Sequence, residues 1–250
     1  MMAPHHVRGR PTLLKDRTAV VTGGSRGIGF QIAKIFIEQG ARVLAVSRSA
    51  DKLAGAKVAL PSLETIAADA AAPDQIDSLV AWVQERWGSL DILVNNAGIM
   101  DTDEADLTTG DDSAFVDTVH TNLFGPYFCT KRFLPLLLQG TDPRVINVGS
   151  RSGILTPNLR SAYGISKVGL HGLTIATARE LEGRVAVNAL SPGHVLTDLA
   201  PDGPGDPRSS AEAALEMVTM PSSIVGMLFH ATPGDGAAPA AAVERAWSEF

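Results

Sequence analysis

From Thr18 onward the chain alternates short runs of β-branched and aliphatic residues with longer stretches of helical periodicity, and this alternation constrains the fold more than any other feature. Strands linked by helical crossovers run parallel, and a parallel sheet needs helices on both faces to cover it. Strand patterns fall at 18–22, 42–47, 63–67, 90–94, 144–149, 184–190 and 224–229. Helical patterns fill the gaps at 27–39, 50–56, 73–87, 111–138, 161–182 and 209–218. The predicted fold is α/β, a single-domain, doubly wound parallel sheet of about seven strands with helices on both faces. The domain spans 14–232, between an N-terminal tail at 1–13 and a C-terminal tail at 233–250. A Pro/Gly-rich stretch at 200–208 interrupts the pattern after the sixth strand and reads as a mobile loop or small lid.

Composition narrows the partners. Of 250 residues, 45% are hydrophobic and 19% charged, enough for a sizeable core. The net charge of −6 comes with no basic stripe, so nucleic acid is not an expected partner. The single cysteine, Cys129, cannot pair within the chain, which favours a reducing, cytoplasmic setting. No uncharged, continuously apolar run approaches the roughly 20 residues of a membrane-spanning helix. No metal site is expected.

Directly after the first strand pattern comes Thr22-Gly23-Gly24-Ser25-Arg26-Gly27-Ile28-Gly29, opening a helix. A helix N-terminus behind a strand is an anion site, because its free N–H groups and its dipole both point at the ligand. Gly23 supplies the tight turn, Gly27 allows a phosphate close to the backbone, and Gly29 is assigned to close helix–sheet packing. In an open parallel sheet, ligands bind outside the carboxyl ends of the strands. Gly23, Ser47 with Arg48, Asp69, Asn95, Ser150 and Pro192 each follow a different strand pattern, so all are predicted on one rim.

The spacing Gly-x-x-x-Gly-x-Gly, with Asn95-Asn96-Ala97-Gly98, Ser150, Tyr163-Gly164-Ile165-Ser166-Lys167 and Ser191-Pro192-Gly193 in that order, resembles the short-chain dehydrogenase/reductase family. The resemblance runs from Leu14 to about Phe229 and implies a Rossmann-like fold with a nicotinamide cofactor. It implies cofactor contacts from Gly23, Ser25, Arg26, Gly27, Ile28, Gly29, Ser47, Arg48, Asp69, Asn95, Ala97, Gly98, Tyr163, Lys167, Pro192, Gly193, Val195 and Thr197. It also implies catalysis by Asn122, Ser150, Tyr163 and Lys167, with Asn122 holding a water that relays protons with the lysine.

Part of this chemistry follows from the residues themselves. Tyr163 and Lys167, four apart on a helical pattern, share a face. A phenol is a poor base at neutral pH, and an ammonium at about 5 Å in an effective dielectric of about 20 contributes roughly 3 kcal/mol, about two pKa units. Lys167 is therefore expected to lower Tyr163. Ser150, at a strand end, offers a hydroxyl to a substrate oxygen as charge develops. Gly125 and Pro126 predict a break in the long helix near Asn122.

Ser47 stands where an NAD-preferring chain places a carboxylate, and Arg48 offers donors to a 2′-phosphate; Arg26 resembles the basic residue that meets this phosphate in NADP-preferring members of the family, so NADP(H) is the expected cofactor. The reading is a ketone or aldehyde reductase, with an NAD-dependent alcohol dehydrogenase and a non-catalytic cofactor sensor as alternatives. A small carbonyl or alcohol substrate is expected over the nicotinamide, bounded by Arg151, Ser152, Ile154, 158–160 and the loop from His194. The uncharged run 168–178 calls for a covering subunit, hence a homodimer or homotetramer.

Overall fold

The structure, a computed structural model, describes residues 12–100, 110–150, 162–231 and 243–245. Its strands are β1 (Thr18–Thr22), β2 (Arg42–Ser47), β3 (Glu64–Ala67), β4 (Ile92–Asn95), β5 (Arg144–Val148), β6 (Ala186–Ser191), β7 (Leu228–Ala231) and β8 (Val243–Arg245). Its helices are α1 (Gly27–Glu38), α2 (Ala50–Ala59), α3 (Pro73–Trp87), α4 (Asp112–Val119), α5 (Gly125–Leu137), α6 (Ala162–Glu180) and α7 (Pro207–Thr219). A π-helical turn, His120–Phe124, joins α4 to α5.

The strands form one sheet in the order β3-β2-β1-β4-β5-β6-β7-β8. The first seven are parallel, and β8 pairs antiparallel with β7. This is the expected Rossmann-like, doubly wound sheet, extended by a short strand from the segment read as a C-terminal tail. Strand order reverses between β1 and β4, and a crevice opens at such a switch point because the crossovers on its two sides leave toward opposite faces.

Every residue of β1 and β5 is buried, as a strand covered on both sides requires. One face of the sheet packs against α1, α2 and α7 through Ile32, Phe36, Leu53 and Met217. The other face packs against α3, α5 and α6 through Ile76, Val83, Phe133 and Ala178. At roughly 25 cal/mol per Å², these two apolar layers supply the main force holding the rim in place.

Most boundaries lie within a few residues of the sequence reading, and three departures from it have a clear local cause. The strand expected at 224–229 begins at Leu228, because Gly226 turns at φ +70° and the Asn188 side chain binds the Ile224 carbonyl and the Met227 N–H. The helix expected over 111–138 is split by the π-helical turn ahead of Pro126, which has no N–H to continue an α-helical ladder. The stretch 200–208 is not one loop: α7 starts at Pro207, capped by the Asp206 carboxylate accepting from the Arg208 N–H at 2.8 Å.

Candidate functional site

The glycine turn is built against the segment that follows β4. Thr22 ends β1, and its hydroxyl accepts from the N–H groups of both Asn96 and Ala97 at 3.0 Å. The Asn96 side-chain amide donates back to the carbonyls of Thr22 (2.9 Å) and Gly23 (3.2 Å). A Cβ on Gly23, at φ +65°, would stand 2.8 Å from that amide nitrogen, and one on Gly29 only 2.4 Å from it. Gly29 is thus required by Asn96 and the Gly23 carbonyl. Sequence reasoning gave it to helix–sheet packing and left Asn96 out of the site altogether. Gly27, at φ +53°, adopts a backbone that favours glycine and faces Thr197.

Around this turn lies a cleft at the carboxyl ends of the strands. It is lined by Gly23, Ser25, Arg26, Gly27, Ile28, Gly29, by Ser47 and Arg48 after β2, and by Asp69 after β3. Asn95, Ala97, Gly98 and Thr197 also contribute to its walls. The Ser25 and Ser47 hydroxyls hydrogen-bond at 3.1 Å, fastening the turn to β2. The Asp69 carboxylate accepts from the Ala71 N–H at 2.8 Å. Of the expected cofactor contacts, Tyr163, Lys167, Pro192, Gly193 and Val195 are not in the lining, and Val195 is buried.

Next to this cleft stand the four residues expected to be catalytic. Tyr163 hydrogen-bonds Ser150. The Lys167 ammonium donates to the Val148 carbonyl at 2.8 Å and lies over the Tyr163 ring, 5.6 Å from its centroid. Asn122, fully buried, sits in the π-helical turn. Gly98 ties this cluster to the cleft, since a Cβ there would lie 3.2 Å from Asn122 Oδ1 and 3.7 Å from Lys167 Nζ.

With strand order, glycine turn and tyrosine–lysine–serine cluster established, comparison with known proteins is decisive. The family model described as short chain dehydrogenase matches residues 17–204. This chain belongs to the short-chain dehydrogenase family. An oxidoreductase of Staphylococcus saprophyticus with no characterised activity is 32% identical over 223 residues, covering 84% of this chain and 94% of its own length. A similar Staphylococcus aureus oxidoreductase is 32% identical over 222 residues, covering 85% of this chain and 95% of its own. Among solved structures, the RhlG/NADP active-site complex of Pseudomonas aeruginosa superposes with a TM-score of 0.82 at 31% identity, covering 90% of this chain and 98% of that one. The Thermoplasma acidophilum aldohexose dehydrogenase superposes with a TM-score of 0.77 at 25% identity, covering 88% and 94%.

As a short-chain dehydrogenase the protein is an oxidoreductase of a family that uses nicotinamide cofactors, and its side chains can be judged against that task. Burial pushes the Tyr163 phenol above its ordinary value, and the Ser150 hydrogen bond works against this. Lys167 was expected to pull the phenol down. Its ammonium is instead directed at a carbonyl and a ring face, and burial lowers the lysine itself to about 8. The Asn122 amide, expected to hold a water, is fully engaged: it accepts from the Ile99 N–H at 2.9 Å and donates to the Ile99 carbonyl at 2.8 Å and to Ser166 Oγ at 3.1 Å.

Ser166, which sequence reasoning passed over, also donates to the Tyr163 carbonyl at 2.7 Å. It links α6, which carries Tyr163 and Lys167, to the π-helical turn, and its signal was position, three residues beyond Tyr163 on the buried face. The expected substrate-side residues Arg151, Ser152, Ile154 and 158–160 lie outside the described residues. Among the described residues no helix is long and apolar enough to cross a membrane, and no cluster of three ligating side chains suits a metal.

Proposed function

We propose that this short-chain dehydrogenase is an NADP(H)-dependent reductase of a small ketone or aldehyde, working in the cytoplasm as a homodimer. The carrying observation is that Tyr163, Ser150 and Lys167 gather beside a cleft whose glycine turn has no room for side chains at Gly23 and Gly29. That bare backbone at the N-terminus of α1 suits a pyrophosphate. Ser47, neutral, and Arg48, with no ion pair among the described residues, favour a 2′-phosphate over a second ribose hydroxyl. The likeness to RhlG, described as an NADP complex, points the same way.

When bound, the nicotinamide dinucleotide would supply the hydride. Tyr163 Oη would deliver the proton to the carbonyl oxygen, a role its raised pKa suits because the phenol stays protonated. Ser150 would hydrogen-bond the same oxygen and stabilise the charge that develops there. Lys167, buried and cationic below about pH 8, would hold the cofactor's ribose and favour negative charge on the tyrosine. With its side chain engaged by Ile99 and Ser166, Asn122 would hold a relay water through its backbone carbonyl.

The test is a panel of ketones and aldehydes followed by NADPH absorbance. Tyr163→Phe is expected to lower kcat by at least roughly 100-fold, the usual scale of proton transfer, with NADPH binding retained; undiminished kcat would refute the mechanism. Arg48→Asp is expected to shift the ratio of kcat/KM values toward NADH. A second reading, NAD-dependent alcohol oxidation, has one observation in its favour: the Arg26 guanidinium is already paired with Asp198.

A further inference from the structure

The segment after β6 is not a loose loop. Leu196 N–H donates to the Gly205 carbonyl at 2.8 Å, and Gly205 N–H donates to the His194 carbonyl at 3.1 Å. Thr197 and Ala200 exchange two backbone bonds of 3.1 and 3.0 Å across the tip. Gly203 lies so close to Val195 that a Cβ would come within 2.4 Å of its carbonyl. The result is a self-bonded flap whose tip residues Thr197, Asp198 and Leu199 enter the wall of the cofactor cleft.

Two carboxylates line that cleft among the described residues, Asp69 and Asp198. Asp69 accepts from the Ala71 N–H. Asp198 forms an ion pair with Arg26, reaching from the flap to the glycine turn. The cleft's other arginine, Arg48, has no ion pair among the described residues. One of the two guanidinium groups that could meet a 2′-phosphate is therefore free, and the other already has an anionic partner.

We propose that Asp198 is a specificity-determining residue: it limits the preference for NADPH over NADH by competing with the 2′-phosphate for Arg26. This rests on the reading above that Arg26 faces that phosphate. A phosphate drawing on Arg26 must displace the carboxylate or share the guanidinium with it, and sharing places two anions side by side. NADH carries no such group and meets no competition. Cofactor choice, commonly made by a carboxylate at the end of the second strand, is here divided between a neutral Ser47 and an acid on a flap. The side chains of Arg26 and Asp198 are 48% and 63% exposed, so water and salt screen the pair and the effect is modest.

The experiment measures Kd for NADPH and NADH from the fluorescence of the reduced nicotinamide, on the full chain and on Asp198→Asn, Arg26→Ala and the double variant. Asp198→Asn is expected to tighten NADPH roughly threefold to fivefold and to leave NADH within about twofold, with the gain shrinking in about 0.5 M salt. In the Arg26→Ala background the gain disappears. An unchanged or weakened NADPH Kd, or an equal shift for both cofactors, overturns the proposal and leaves the flap contact merely structural. If Arg26→Ala alone leaves the ratio of the two Kd values unchanged, Arg26 does not meet the phosphate, and both that assignment and the role of Asp198 fall. If instead Arg26→Ala weakens NADPH selectively while Asp198→Asn does nothing, only the competition is wrong.

Discussion

The Asn122 side chain and the Ile99 backbone close a ring of two hydrogen bonds, 2.9 Å from the Ile99 N–H to Oδ1 and 2.8 Å from Nδ2 to the Ile99 carbonyl. This pair holds the chain after β4 against the π-helical turn, and through Ser166 against the helix that carries Tyr163 and Lys167. Three stretches far apart in sequence thus share one buried amide.

Asn122→Ala should therefore act on fold and site together. It removes partners from a backbone N–H, a backbone carbonyl and the Ser166 hydroxyl, each costing about 1–3 kcal/mol when left unmet. With partial relaxation, a loss of about 2–4 kcal/mol in unfolding free energy is expected from urea titration. Turnover should fall more than NADPH binding, because the glycine turn is held by Asn96 and Thr22 and keeps its own bonds. Equal losses in kcat and cofactor affinity would show that the ring does not separate the two functions.

On the proposed mechanism, Lys167 should set the alkaline limit of carbonyl reduction. Burial brings it to about 8, so the ammonium is present below that pH and lost above it. Tyr163, pushed upward, keeps its proton across the same range. The kcat/KM for NADPH, which reports groups of the free enzyme, is expected to be flat below about pH 8 and to fall above it. Lys167→Met should lower the plateau and remove the limb. A limb that persists in this variant would belong to another group.

His171, one helical turn beyond Lys167 and 4% exposed, controls stability in acid. Burial, then the charges of Lys167 and His230, hold its pKa at about 4, well below the ordinary 6.5. A base with a lowered folded pKa takes its proton more readily when unfolded, so its contribution is intact above about 6.5 and lost as pH falls toward 4. Between pH 7.5 and pH 5 this amounts to about 2 kcal/mol. Urea midpoints at the two pH values should differ for the wild type and differ less for His171→Leu. The same dependence in both proteins would assign the acid sensitivity to carboxylates elsewhere.

Much of the rim was legible because strand ends and glycine turns obey local rules. β1 and β2 match their patterns to the residue. What escaped was decided by partners distant in sequence. Asn96 looks spare beside Asn95 until its amide is seen holding the Thr22 and Gly23 carbonyls. The start of β7 depends on Asn188, some 40 residues earlier, engaging Ile224 and Met227. The flap is held mainly by backbone bonds, which leave little mark on side-chain type beyond the glycine at 203. Proximity of Lys167 to Tyr163 was readable from spacing, but not that the ammonium would be spent on the Val148 carbonyl.

Assembly supplies the last prediction, because the helices beside the site carry apolar side chains that water would otherwise cover. Val116 on α4 is 60% exposed, Phe124 in the π-helical turn 45%, Tyr127 on α5 42%, and Ile165 and Val168 on α6 42% and 43%. Exposed apolar residues clustered in this way are unusual on a monomer, and a second copy of the same face is expected to cover them by two-fold symmetry. Phe124 lies two residues from Asn122 in the π-helical turn, so covering it also steadies the hydrogen-bonded ring around Ile99. The double variant Val116→Glu/Val168→Glu is expected to sediment as a monomer at micromolar concentration, with NADPH affinity retained and kcat reduced. A wild-type chain that sediments as a monomer, or a double variant of unchanged mass, would show that this face is not where copies meet.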